Sequence, residues 1–168
     1  MQTVTPDTAD LIGRFISDVT PNVIATMLNW PAPRETRSAE AETPGTFHLN
    51  AVTGSIGFCG HLTGTLFFSM SSAQASEMAG ALLCSPIAAD SHECLDVVGE
   101  LTNMIAGGLK TRLSNHGVST VMTIPSIVRG PAIQVTGQEV AFMVEREFTI
   151  GSSPAGARVI MIGKLGDE

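Results

Sequence analysis

The chain has 168 residues, of which 43% are hydrophobic and 15% charged, and its formal net charge is −7 at pH 7. That length predicts a single domain over residues 1–168, with a core large enough to fold without disulfides or a structural metal. The 9 basic residues are scattered along the sequence. No stripe of them could neutralise a phosphate backbone, so we expect no nucleic-acid binding.

The cysteines and the apolar segments indicate the cellular compartment in which the protein folds. Cys59, Cys84 and Cys94 give an odd count without a Cys-x-x-Cys pair, which is typical of a reducing environment. The first ten residues, MQTVTPDTAD, lack the basic and apolar segments of a secretory signal. No uncharged apolar run is long enough to span a bilayer. We therefore expect a soluble, cytoplasmic protein without membrane insertion.

The first predicted element is a helix over residues 8–29, because its apolar side chains recur at helical spacing. Pro21 is placed to kink this helix, and the segment Trp30-Pro-Ala-Pro33 ends it. Residues 34–46 are polar and rich in charges and turn formers. They are predicted to form an exposed loop.

A hairpin and a second helix are predicted next. Residues 50–70 alternate in polarity with a period of two, and Cys59-Gly60-His61 supplies the turn between two strands. Ser71 or Ser72 then caps a helix that runs to Leu83, with Leu83 among its inward-facing residues.

The longest helix begins at Ser91 and ends near His116-Gly117. Three strands follow, over residues 119–128, 139–150 and 156–165. The resulting order, αββααβββ, lacks strict alternation of strands and helices. It predicts the α+β class: a two-layer sandwich whose largely antiparallel sheet packs against long helices.

Polar residues are concentrated on one face of this long helix. Asp96, Glu100 and Asn103 follow one another at offsets of four and three residues, which places them on a single helical face. The opposite face is predicted to build the core, through Leu95, Val98, Leu101, Ile105 and Leu109. An ordinary solvated helix face is the alternative interpretation of the polar residues.

The surroundings of Glu100 favour a docking surface over a solvated face. Val97 and Met104 are predicted to flank Glu100 as an apolar rim, and apolar rims around polar groups are common at interfaces. Gly107 would let a partner approach closely. The glycines of this helix otherwise weaken it without an evident reason.

Glu100 and Asn103 form an incomplete hydrolytic site. A carboxylate can act as a base or pair with a lysine, whereas an amide can donate and accept hydrogen bonds but cannot take a proton at neutral pH. The sequence adds no nucleophile–base pair and no metal cluster. A substrate for this face must therefore bring its own electrophile and metal. Phosphoryl transfer fits such a division, because it depends mainly on positioning water and stabilising charge.

The pattern Asp96-x-x-x-Glu100-x-x-Asn103 resembles the phosphatase signature of the CheC/CheX/FliY chemotaxis family, whose members dephosphorylate the receiver protein CheY. The resemblance continues through Ala-Gly-Gly at 106–108 and through Thr123-Ile-Pro-Ser-Ile-Val128. It also covers the hairpin, the helix after it and the end of the first helix. The first helix has no Glu-x-x-Asn, so the chain is more similar to CheX, with one active helix, than to CheC, with two.

The resemblance implies a role for each site residue. Asn103 would orient the water that attacks the partner's aspartyl phosphate, and Glu100 would pair with a lysine of the receiver. Asp96 matches the signature as a partner-binding residue that would shape the site or bond locally, and Pro125 would set backbone geometry in a strand. The receiver would supply Mg²⁺, and the chain would need no cofactor of its own. By the same resemblance we expect a homodimer, joined through sheet edges.

Several alternatives remain open on the sequence alone. Cys59-x-His61 and His92-x-Cys94 offer zinc-ligand types, although their spacings are not those of common zinc sites. Glu145-Arg-Glu147 is predicted to be a solvated segment with cross-strand pairing, or else an edge in a dimer contact. The polar helix face could also serve a receiver-binding module without catalysis, or a structural subunit of a larger assembly.

Overall fold

The computed structural model describes residues 6–41 and 45–166. The helices are α1 (Pro6–Leu28), α2 (Ser72–Leu83) and α3 (His92–Asn115). The strands are β1 (Glu35–Ala41), β2 (Thr46–Leu49), β3 (Val52–Gly60), β4 (Leu62–Met70), β5 (Thr120–Met122), β6 (Ser126–Arg129), β7 (Ile133–Thr136), β8 (Phe142–Thr149) and β9 (Gly156–Leu165).

The main sheet is antiparallel and lies against the helices. Its strands follow the order β1-β8-β9-β4-β3-β5, and β6 also pairs with β3. The principal core lies between the helical face of this sheet and the three helices. Large side chains such as Phe68, Phe142 and Phe148 are fully buried there. The predicted α+β class, with a largely antiparallel sheet packed against long helices, is confirmed.

The helix boundaries follow local sequence signals. Helix α1 contains Pro21 and ends at Leu28, and Asn29 then adopts a left-handed φ of 54°, as residues after helix ends often do. Ser71 caps α2 through a capping box with Gln74. The end of α1 and the cap of α2 match the prediction, but Leu83 at the end of α2 is 45% exposed instead of facing inward.

The hairpin of β3 and β4 is confirmed, and it places α3. The two strands pair from Val52 with Met70 to Phe58 with Gly64. Gly54 of β3 lies beneath α3, where a side chain at this position would collide with Thr102. The hydroxyl of Thr102 donates to the carbonyl of Val98 at 2.7 Å, inside the helix. A close approach between β3 and α3 thus fixes the height of the helix above the sheet.

The polar segment after α1 is a strand, and the loop predicted over residues 34–46 is wrong. Residues 35–41 form β1 and pair with β8 at the edge of the main sheet. An edge strand has a neighbour on one side only, and most side chains of β1 are exposed. Its sequence therefore lacks the apolar alternation that marks a strand. Pro44, a turn former within that predicted loop, lies outside the described residues.

The prediction for residues 145–147 of β8 is half right: they pair across strands as predicted, but they are not solvated, and β8 lies between β1 and β9 instead of at an edge. Glu145 and Arg146 are only 3% and 5% exposed. Arg146 forms ion pairs with Glu35 and Glu40 of β1, and Glu145 accepts a 2.8 Å hydrogen bond from Arg158 of β9. Burying charges is tolerable when each one is paired and hydrogen-bonded. Since β1 was not predicted, the partners that permit this burial were not foreseen.

A small ribbon covers part of the other sheet face. Strands β2 and β7 pair with each other and pack a second apolar cluster on the main sheet. The buried members of this cluster are Phe47, Leu49, Phe67, Ile160 and Ile162. This ribbon adds to the predicted two layers, and β7 was not predicted because its alternating pattern extends over only four residues.

Candidate active site on helix α3

Helix α3 is fixed by its start and by its buried side. The Ser91 hydroxyl accepts a hydrogen bond from the backbone N–H of Cys94 and so caps the helix, as predicted. The side that faces the sheet and α1 is fully buried at Val98, Leu101 and Ile105. The sequence therefore predicted the inward face of α3 correctly, except that Leu95 is only partly buried.

The predicted polar face is turned to solvent. Asp96 and Glu100 are exposed, and Asn103 is half-buried one turn further along. In residues 6–41 and 45–166, the side chains of these three form no hydrogen bond or ion pair, although nearby Thr102 and Thr111 are bonded within the helix. The carboxylate of Glu100 and the amide of Asn103 are thus available to another molecule.

The apolar rim predicted around Glu100 is half right. Met104 is half-buried and reaches the surface, but Val97 is 5% exposed and belongs to the principal core. A helix with an exposed face usually buries a stripe of 100° or more. Helix α3 is covered by the sheet, α1 and α2, so its buried stripe is broad enough to include Val97. Val97 is therefore a core residue, and its prediction as a partner-binding residue is wrong.

Gly107 and Gly108 differ in what surrounds them. A Cβ atom on Gly107 would meet nothing within 4 Å, whereas one on Gly108 would lie 2.6 Å from Cγ1 of Val19 in α1. Gly108 is therefore required for the close crossing of α1 and α3. Gly107 has no packing reason within the described chain, and it faces the same side as Asn103.

A groove between α1 and α3 borders this face. Its volume is about 370 Å³. It is lined by Val19, Asn22, Val23, Thr26, Met104, Gly108, Thr111 and Arg112. Arg112 is paired with Asp18 across the two helices at 3.4 Å. A larger depression, of about 570 Å³, lies beside the end of α2, away from Glu100 and Asn103.

The loop between β5 and β6 forms the other border of the face. Pro125 lies against α3, with its Cγ 3.9 Å from the position of a Cβ on Gly99. The predicted strand over residues 119–128 is interrupted here, consistent with a proline that lacks a backbone donor. Ile124, just before Pro125, is 85% exposed. Pro125 was predicted from the sequence to matter for backbone geometry, whereas the exposure of Ile124 was not predicted, although a proline within a predicted strand signals such an interruption.

The two candidate zinc pairs are at different places in the fold. Cys59 and His61 are exposed at the β3–β4 hairpin, whereas His92 and Cys94 begin α3. Cys94 is buried, and this burial raises the pKa of its thiol, an effect that Arg129 opposes. No group of three or more His, Cys, Asp or Glu side chains that could hold a metal is assembled in the described residues.

The profile of one protein family, described as chemotaxis phosphatase CheX, matches residues 52–146. The chain belongs to the CheX family. The resemblance inferred from the motif is thereby confirmed at the family level. The matched segment includes the whole of α3 and the loop that borders it. Among proteins of curated function, none matches this chain.

Solved structures share the CheX-like fold. A putative chemotaxis protein from Desulfovibrio vulgaris Hildenborough is 22% identical, with a TM-score of 0.76 over 91% of this chain and 95% of that one. A CheC-like superfamily protein from Shewanella sp. PV-4 is 25% identical, with a TM-score of 0.76 over 91% and 96%. The CheX–CheY–BeF₃–Mg²⁺ complex from Borrelia burgdorferi matches at 19% identity, with a TM-score of 0.70 over 89% and 95%. None of the described helices is long and apolar enough to cross a membrane.

Proposed function

We propose that this protein is a phosphatase that accelerates hydrolysis of the aspartyl phosphate on a CheY-like receiver domain. The observation that carries the proposal is the pair Glu100 and Asn103, one turn apart on an exposed face of α3 and unengaged within the described chain. A polar pair that the fold does not use is suited to completing a site on another molecule.

The two side chains divide the work according to their chemistry. The amide of Asn103 can donate one hydrogen bond and accept another, so it can orient a water molecule in line with the phosphorus. The carboxylate of Glu100 can pair with a receiver lysine and fix the register of docking. Membership in the CheX family supports both assignments.

The metal and the electrophile belong to the partner in this proposal. Glu100 and Asp96 are separate exposed carboxylates, and no group of three potential ligands surrounds them in the described chain. Mg²⁺ bound in the acidic pocket of the receiver would neutralise charge on the phosphoryl group. The protein itself contributes the water-positioning amide and the carboxylate, and needs no cofactor of its own.

The surface around the pair supports docking of a folded partner. Gly107 leaves open space beside Asn103, and Met104 adds a flexible apolar side chain next to it. Asp96 lies one turn before Glu100 and would contact the partner or shape the edge of the site. In the Borrelia burgdorferi structure, CheX is in complex with CheY, BeF₃ and Mg²⁺, and we propose a phosphorylated receiver as the partner here.

We also propose that the protein is cytoplasmic, where receiver domains act, and that it forms a homodimer. Strand β1 is an edge of the main sheet and leaves one row of backbone groups unpaired within the described sheet. Light scattering coupled to gel filtration tests the dimer, because a mass near 17.6 kDa would indicate a monomer.

The function is tested with a panel of purified receiver domains phosphorylated by acetyl phosphate. We expect the protein to shorten the phosphate lifetime of at least one receiver, and the variant Asn103→Ala to lose that effect. Asn115→Ala is the matched control, because Asn115 is an exposed residue at the far end of α3. If no receiver loses phosphate faster, the phosphatase proposal is wrong. Binding to a BeF₃-treated receiver without faster hydrolysis would indicate the binding module instead.

A further inference from the structure

Ile124 is an unusually exposed apolar residue. Its side chain is 85% exposed, compared with 64% for Val121 and 45% for Leu83, the other exposed large hydrophobic residues of the described chain. Single exposed apolar residues are common on protein surfaces. Exposure alone therefore does not identify a binding residue. The position of Ile124 and the hydrogen bonds that hold its backbone are the evidence for a role.

The backbone on either side of Ile124 is held in place. The N–H of Thr123 donates to the carbonyl of Gly57 at 3.0 Å, and the N–H of Gly57 donates to the hydroxyl of Thr123 at 2.9 Å. That hydroxyl in turn donates to the carbonyl of Ile124 at 3.1 Å. On the other side, the ring of Pro125 lies next to Gly99 of α3. The loop is thus held at Thr123 and at Pro125, on either side of Ile124.

These fixed points place Ile124 beside the candidate active site. The Cγ of Pro125 lies 3.9 Å from where a Cβ on Gly99 would be, and Gly99 immediately precedes Glu100. A partner that lies over Glu100 and Asn103 would therefore extend over the adjoining loop. Polar pairs such as Glu100 with a lysine are stronger when nearby apolar contacts exclude water. Ile124 is the exposed large apolar residue at that border.

We propose that Ile124 is an apolar anchor for the receiver domain, seated in a depression on the receiver when Glu100 and Asn103 reach its phosphorylated pocket. The inference rests on the proposed function and adds a specificity-determining contact to it. Ile124 touches neither the phosphate nor the water in this arrangement. Its contribution is equal in the bound ground state and in the transition state, so it affects KM and leaves kcat unchanged.

The test compares Ile124→Ser with Val121→Ser. Val121 is paired with Cys59, and its neighbour Met122 is paired with the buried Phe58. Because successive strand residues point to opposite faces, Val121 lies on the sheet face away from α3. Val121→Ser therefore removes a similar exposed apolar side chain without touching the proposed interface.

The measurements use the receiver that wild-type protein dephosphorylates fastest in the acetyl phosphate panel. We expect Ile124→Ser to raise KM, and the dissociation constant for the BeF₃-treated receiver, by about tenfold to a hundredfold. The kcat and the melting temperature should stay at wild-type values. Ile124→Met, which keeps an apolar side chain, should recover most of the affinity. Val121→Ser should change KM by less than about twofold.

The outcomes separate this inference from the function on which it rests. If wild-type protein is active and Ile124→Ser has an unchanged KM, the anchor is wrong and the phosphatase stands. Equal losses in Ile124→Ser and Val121→Ser would also overturn the anchor, as would a change of oligomeric mass in Ile124→Ser, which would assign the loop to a contact between copies. If wild-type protein neither binds nor dephosphorylates any receiver, both proposals fail.

Discussion

The guanidinium of Arg146 occupies the space that a side chain on Gly13 would need. Gly13 lies in α1, and a Cβ atom built there would collide with Nη2 and Cζ of Arg146, which reaches it from β8. The same guanidinium pairs with Glu35 and Glu40 of β1, and its Nε donates to the hydroxyl of Ser17 in α1. One buried charge thus joins a helix to the edge of the sheet.

Gly13→Ala is expected to destabilise the protein by about 1–3 kcal/mol, the usual cost of overfilling a packed site. Alanine is favoured over glycine in a helix by about 1 kcal/mol, so the loss comes entirely from displacing Arg146. Urea unfolding followed by circular dichroism gives the free energy of unfolding. A gain in stability would contradict the packing of Arg146 against α1.

Gly107→Ala is expected to act in the opposite direction. Its Cβ would enter open space, so the helix should gain up to about 1 kcal/mol in the free energy of unfolding. If a receiver lies over this face, the added methyl group should raise the KM for the phosphorylated receiver. Gly108→Ala is the comparison, since its Cβ would press on Val19 and lower the stability. Unchanged receiver kinetics in stabilised Gly107→Ala would place the partner elsewhere.

Glu100→Gln is expected to weaken docking through loss of charge. The affinity for the BeF₃-treated receiver should fall, and its dependence on salt concentration should become shallower, because an exposed ion pair is screened by salt. Glu93→Gln, an exposed change in the first turn of the same helix, is the control. Parallel salt profiles for wild type and Glu100→Gln would show that Glu100 pairs with no cation.

Cys94 is expected to react slowly with thiol reagents at neutral pH, whereas the exposed Cys59 and Cys84 react quickly. Burial raises the pKa of the Cys94 thiol, Arg129 lowers it and Asp90 raises it again. A thiol whose pKa is raised on folding stabilises the folded state fully below the pKa of the unfolded thiol. That stabilisation is lost as the pH rises through the folded pKa. In the labelling experiment, a disulfide-exchange reagent should modify Cys59 and Cys84 rapidly and Cys94 slowly. Equally fast reaction at all three cysteines would contradict the burial of Cys94.

The sequence predicted the elements that carry strong local signals. Periodicity alone predicts the alternation of β3 and β4 and the outward positions of Glu100 and Asn103. Capping preferences predict the serines that begin α2 and α3. The fold class then follows from the order of these elements. Each of these features depends on residues that are close together in the chain.

The features that the sequence did not predict depend on distant partners. Strand β1 exists because β8 pairs with it, and the burial of Arg146 depends on carboxylates more than a hundred residues away, on β1. Val97 is buried because α3 is covered on several sides, which its own helical pattern does not reveal. The place of Ile124 beside α3 depends on Pro125, whose ring lies next to Gly99 in the folded chain. Local sequence patterns predict helices and strands, whereas tertiary contacts determine which of their side chains remain exposed to solvent.

The freedom of Glu100 and Asn103 from bonds within the described chain has a consequence for inheritance. A chain that lost either side chain would fold, accumulate and survive cellular quality control as well as its parent, because surface changes usually alter stability by less than about 0.5 kcal/mol. Natural selection can therefore act on this pair only through the pair's effect on the cell, and not through the stability of the protein. A duplicated gene that is no longer under that selection would still encode the same fold after Glu100 or Asn103 had been replaced.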